Sequence, residues 1–176
     1  MSGHNKWSKI KHKKAATDSA RSKVFTKLVK LIQVEAKKAD GNVNSPGLKS
    51  VIERAKKENM PSDNIDRAVK KGSSSDQVAM DEVTYETYGP GGVAVIIEGL
   101  TDNHNRTGAE MRSLLSKNGY ALAAPGAASW AFTKSEGVWT PNQTTDISEE
   151  DGEKLSRLID ILDDNDDVQD VYTNAS

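Results

Sequence analysis

A chain of 176 residues is long enough for one ordinary domain or two small ones, and with 35% apolar and 28% charged residues it can bury only modest cores under much solvated surface. It has no cysteine, which excludes disulfides and thiolate metal sites and suits a reducing cytosol. No stretch approaches the roughly 20 apolar residues of a membrane span. The N-terminus lacks the apolar block of a secretory signal, and residues 1–20 lack the arginines of a transit peptide, so the expected location is cytoplasmic. The net charge of −2 conceals a dipole: residues 1–72 hold 18 Lys and Arg against 7 Asp and Glu, and residues 73–176 hold 6 against 19. Net charges of +11 and −13 on the two parts point to a polyanion partner for the basic part. The plainer alternative is two solvated surfaces of opposite sign that dock on each other.

Residues 1–14 (MSGHNKWSKIKHKK) carry five lysines, two histidines and no acid, and self-repulsion makes a flexible basic arm the expectation. From about Ala15 to Lys38 the period becomes helical, with Val24, Phe25, Leu28, Val29, Leu31, Ile32 and Ala36 on one stripe. The breaker-rich loop DGNVNSPG follows. Ser45 then reads as a cap and Pro46 as the first-turn proline of a second helix, whose inward positions are Leu48, Val51, Ile52 and Ala55. A third helix is expected from Pro61-Ser62-Asp63 to Gly72, with Ile65, Ala68 and Val69 inward and Lys70 and Lys71 at its dipole-negative end. Residues 15–72 thus form a three-helix basic domain.

Across the expected linker 73–81, which opens Ser73-Ser74-Ser75-Asp76 after Gly72, the charge changes sign and the period falls from 3.6 to 2. Glu82 to Tyr88 alternates as a half-buried strand, with Val83, Tyr85 and Thr87 inward and Glu82, Thr84 and Glu86 outward. After the turn Gly89-Pro90-Gly91-Gly92, the run Val93–Leu100 is apolar enough for a central strand. A helix over Asn105–Lys117 ends at Asn118-Gly119. Ala127–Lys134 and Gly137–Thr140 make a hairpin around Ser135-Glu136. Ser148-Glu149-Glu150-Asp151 resembles a capping box with Asp in the last place, and opens a helix buried through Leu155, Leu158, Ile159 and Leu162. Val168–Tyr172 closes the chain. The expected class is α+β: an N-terminal three-helix bundle followed by an acidic ferredoxin-like βαββαβ domain, 82–176, with one extra leading strand.

Lys6, Lys9, Lys11, Lys13 and Lys14 of the arm can neutralise phosphates, while Trp7 and His12 offer flat faces to bases or sugars. The first helix continues the track with Arg21, Lys23, Lys27 and Lys30, the last three spaced four and three apart on one face. Lysine outnumbers arginine there, which favours contact with the phosphate backbone over bidentate base reading. A second candidate lies at Thr101-Asp102-Asn103-His104-Asn105-Arg106-Thr107, where a strand passes into a helix. Backbone N–H groups with Asn103, Arg106 and Thr107 could hold a phosphate there, or the same side chains could simply cap the helix.

The strings GHNKWSKIKHKKAATDSARSKVFTKL, ENMPSDNIDRAVKKG, TYETYGPGGVAVIIEGLTDNHNRT, SKNGYALAAPGAASW and DDVQDVYTN resemble the YebC family, which includes the mitochondrial translational activator of cytochrome c oxidase. The similarity covers Ser2–Trp139 and again about Ile147–Asn174. It implies a DNA-binding transcriptional regulator or, in a competing account, a ribosome-associated translation factor bound to ribosomal RNA. It also implies a departure. Family members insert a small α/β domain between the strand matching Gly137–Trp139 and the helix matching Ser148–Leu162, and here the short loop 140–147 takes its place.

The sequence offers no catalytic signature. His4, His12 and His104 have no neighbour at metal-ligand spacing, and Asp163, Asp164, Asp166 and Asp167 lack the central glycine and closing glutamate of a calcium loop. Gly89–Gly92 is not followed by the Lys-Ser/Thr of a phosphate-binding loop. The expectation is therefore a non-enzyme with no metal or cofactor and no small-molecule substrate. Its partner is nucleic acid, DNA or ribosomal RNA, with no membrane. A protein-interaction adaptor acting through the acidic domain is the rival from another class.

Overall fold

A computed structural model describes residues 18–176, which divide into two compact units meeting between Asp81 and Glu82. The first unit is helical: α1 (Asp18–Lys38), α2 (Pro46–Lys57) and α3 (Ser62–Gly72). Leu28, Ile32 and Ala36 of α1 close on Leu48 and Ala55 of α2 and on Ile65 and Ala68 of α3, with Met60 sealing the α2–α3 corner. This stripe at three- and four-residue spacing is the core the periodicity calls for. Ser45 stands at the N-cap of α2 and Pro46 in its first turn, but the Ser45 side chain makes no capping hydrogen bond. Gly72 ends α3 against α1, where a Cβ would lie 2.4 Å from the Gln33 carbonyl oxygen. Only glycine permits that approach. Residues 73–80 carry no helix or strand. They run beside α1, the Gln77 side-chain amide donating to Gln33 Oε1 at 3.3 Å and Lys37 Nζ to the Gln77 carbonyl at 3.3 Å.

The second unit contains β1 (Asp81–Tyr88), β2 (Ala94–Thr101), α4 (His104–Lys117), β3 (Leu122–Ala123), β4 (Phe132–Ser135), β5 (Val138–Pro141), α5 (Glu149–Asp163) and β6 (Val168–Thr173). The main sheet has the order β3-β1-β2-β6, with β2 antiparallel to β6 and β1 antiparallel to β3. The all-apolar β2 explains itself. Val93, just before it, with Val95 and Ile97 meets Met111 and Leu115 of α4 and Leu155, Leu158 and Leu162 of α5. Ala94 and Ile96 face Ala128, Ala131 and Phe132. Covered on both faces, the strand has no reason to alternate.

The α+β class and the strand–helix–hairpin–helix–strand order behind a leading strand are those expected, with three differences in detail. The hairpin β4–β5 forms its own two-stranded sheet, and the short β3 takes the place beside β1. The first hairpin strand begins at Phe132 because Ser129–Ala131 is a 3₁₀ turn. Glu86, expected in water, is only 6% exposed. Its face of β1 is covered by the segment 124–131, whose backbone it holds: Glu86 Oε1 accepts from Gly126 N at 2.7 Å, and Oε2 accepts from Ala128 N at 2.6 Å and Ser129 N at 2.8 Å. Burial alone would raise the pKa of this carboxyl, but the three N–H donors bring it below its ordinary value.

Candidate nucleic-acid interface

Helix α1 sets two stripes beside each other. Leu28, Ile32 and Ala36 go to the core. The stripe Asp18, Arg21, Ser22, Phe25, Thr26, Val29, Lys30 and Gln33 faces Asn64 and Lys71 of α3 across a groove of about 710 Å³.

Among the described residues, three cations, Arg21, Lys30 and Lys71, converge on it over a floor containing Phe25 and Val29, and Asp18 is its one carboxylate. Lys30 is half-buried and Arg21 and Lys71 are exposed. A half-buried lysine can lay its methylenes along such an apolar floor. Such a groove can receive a phosphate chain, with the aromatic and aliphatic floor under its sugars or bases.

The groove gathers only part of the site read from the sequence. Arg21 and Lys30 line it, whereas Lys23 and Lys27, both half-buried, do not. Lys6, Trp7, Lys9, Lys11, His12, Lys13 and Lys14 lie outside the described residues. Sequence reasoning overlooked Asn64 and gave Lys71 only a role at the helix dipole. The α1–α3 contact that joins them to Arg21 is a tertiary fact, and the basic pair ending α3 was the one signal of it.

At the second candidate the hydrogen bonds realise the capping alternative. Asn103 is the N-cap of α4, its Oδ1 accepting from Arg106 N at 3.0 Å. A relay of hydroxyls runs behind it: Asn103 N donates to Thr101 Oγ1 at 2.9 Å, Thr101 Oγ1 lies 2.7 Å from Thr107 Oγ1, and Thr107 Oγ1 donates to Asp167 Oδ2 at 2.7 Å. Arg106 Nη2 donates to the same Asp167 oxygen at 2.9 Å and to Asp102 Oδ1 at 3.1 Å, with Glu110 at 3.6 Å from Nη1. Asp167 chiefly, with Glu110 and Asp102, holds the guanidinium further toward its charged form against a desolvation effect. Burial, and then the Asp167 charge, raises the Tyr85 phenol. Three carboxylates around one arginine repel a phosphate, so these side chains serve the junction of β2, α4 and β6. Among the described residues no group of three or more His, Cys, Asp and Glu could hold a metal ion, and no helix is long and apolar enough to cross a membrane.

Comparison with known proteins decides the family. The model of the TACO1/YebC protein N-terminal domain matches residues 5–75, and that of the TACO1/YebC second and third domain matches 80–138 and 133–175. The chain belongs to the TACO1/YebC family. It is 44% identical to a probable transcriptional regulatory protein of Trichlorobacter lovleyi over 178 positions, covering 100% of this chain and 72% of that one. A namesake from Fervidobacterium nodosum is 36% identical over 235 positions, covering 99% and 93%. The crystal structure of a conserved hypothetical protein from Aquifex aeolicus superposes with a TM-score of 0.85 at 32% identity, covering 98% of this chain and 97% of that one.

The alignment with the Fervidobacterium nodosum relative runs over 235 positions, more than the 176 residues of this chain, so it contains gaps. The connection from β5 to α5 is pinned down. Asn142 N donates to the Ala131 carbonyl at 2.8 Å, Thr145 N to the Asn174 carbonyl at 2.8 Å, and Ser176 Oγ to Asp146 Oδ1 at 2.6 Å. This connection lies outside the four strands of the main sheet.

Proposed function

We propose that this chain is a nucleic-acid-binding regulator of gene expression, acting in transcription, whose helical unit grips the phosphate backbone of DNA. The observation that carries the reading is the α1–α3 groove, where Arg21, Lys30 and Lys71 converge over Phe25 and Val29. Lys23 and Lys27 flank it on α1, and the arm residues Lys6, Trp7, Lys9, Lys11, His12, Lys13 and Lys14 extend the basic track in sequence. The name carried by the relatives, probable transcriptional regulatory protein, supports the same role. Ribosomal RNA, the alternative target, presents the same phosphates, so it would use the same cations.

The test is a DNA titration by fluorescence anisotropy with the full chain and a Lys30→Glu/Lys71→Glu variant. The reading expects weaker binding to every duplex sequence alike, and a salt slope shallower by about one for each lost phosphate contact. Unchanged affinity at low salt would remove the groove from the interface. Competition by ribosomal RNA far stronger than by an equal length of duplex would move the target to the ribosome.

A further inference from the structure

The second unit displays an indole in water and fixes it there. Ala128 and Ala131 are fully buried and Phe132 nearly so, and the 3₁₀ turn between them throws Trp130 outward with 59% of its surface exposed. Its polar edge is tied down: Nε1 donates to Tyr88 Oη at 3.0 Å and to the Ala127 carbonyl at 3.0 Å, and the Tyr88 hydroxyl itself donates to the Ala127 carbonyl. Tyr88, 40% exposed, stands beside it. Beneath, the buried Glu86 carboxylate clamps the backbone of Gly126, Ala128 and Ser129. Gly126 turns its N–H to that clamp with φ +88°, and a Cβ there would meet nothing within 4 Å. The fold thus positions two rings whose exposed surface adds nothing to its own core, and the ordering of the indole is completed before any ligand arrives.

Electrostatics indicates what the rings receive. The part from residue 73 onward is strongly acidic, yet residues 119–135 contain no Asp or Glu, one Lys, and a run of Ala, Gly and Ser around the rings. Glu86, the nearby carboxylate, is spent on three N–H donors. A phosphate-bearing strand is repelled by most of this unit but by nothing in that segment, and small side chains allow its backbone close. Resting on the nucleic-acid reading above, we infer that Trp130 and Tyr88 form a stacking platform for an unpaired base of DNA, distinct from the phosphate grip of the helical unit. A base has the flat face that an indole stacks, and a base already inside a duplex does not offer it.

The test compares two DNA probes of equal phosphate number, a hairpin with an unpaired loop and a blunt duplex, using the full chain. Trp130→Ala is expected to weaken hairpin binding about 5- to 150-fold, the range of one stacked base, and to leave duplex binding unchanged. Trp130→Phe keeps a ring and should recover part of the hairpin affinity. The Lys30→Glu/Lys71→Glu variant should weaken both probes alike, so the two failures separate. Equal hairpin affinity for Trp130→Ala and the unaltered chain, while the lysine variant weakens both, overturns the platform and spares the grip. Lysine variants that bind normally beside a hairpin-specific Trp130→Ala loss overturn the grip alone. Loss of a bound protein partner on Trp130→Ala, with both DNA affinities unchanged, overturns the base-stacking assignment in favour of a protein contact. Failure of the unaltered chain to bind either probe overturns both readings.

Discussion

The helical unit and the sheet unit use charge in opposite ways. In the first, the cations Arg21 and Lys71 stand on the surface, the core of Leu28, Ile32 and Ile65 is wholly apolar, and the charge is available to a ligand. In the second, the two buried carboxylates hold the fold together. Glu86 gathers three backbone N–H groups of the loop before the hairpin, and Asp167 gathers Thr107 and Arg106 at the junction of β2, α4 and β6. A motif dense in polar residues, such as Thr101–Thr107, can therefore be architecture, while a plain stripe of lysines is the better candidate for contact.

The contrast can be broken or sharpened by mutation, the carboxylates first. Glu86→Ala leaves three N–H donors without their acceptor and should cost about 3 kcal/mol or more of unfolding free energy, read from urea denaturation. The same carboxyl has a lowered pKa in the folded chain. Its contribution is complete above the unfolded-state pKa and is lost as pH falls through the folded one. Acidification should thus weaken the unaltered protein more than Glu86→Gln, and equal losses would contradict the clamp. Asp167→Ala comes next, at about 2–3 kcal/mol, because the Thr107 hydroxyl and part of the Arg106 guanidinium lose their acceptor. Arg106 is largely solvated, so its share is small. Thr107→Val should cost about 1 kcal/mol, one hydrogen bond in a network that keeps its other members. None of the three should alter duplex DNA affinity, and a matching loss of binding would collapse the distinction between the units.

The elements were legible where burial is one-sided and local. The apolar stripe of α1, Pro46 at the start of α2, and Ser148 at the head of α5 all stand where their residue types put them, and Ser148 Oγ accepts from Asp151 N at 3.1 Å. The alternation of β1 misled at Glu86 because the rule assumes one face in water, and there a distant segment covers the other face. β3 is two residues long, too short to show a period, and it exists only by pairing Glu86 with Ala123 and Thr87 with Leu122. The groove was half legible: Arg21 and Lys30 announce themselves on one helix, but Asn64 and Lys71 join them only once α3 has docked.

The central claim, that the basic part grips a phosphate backbone, is tested most directly by the affinity of the full chain for duplex DNA as a function of salt. If about 6–10 phosphates are contacted, affinity should fall some 10³- to 10⁵-fold between about 50 and about 200 mM salt, linearly on logarithmic axes. An affinity that stays flat over the same range would contradict the claim, since no arrangement of lysines on phosphates releases its counterions without that dependence.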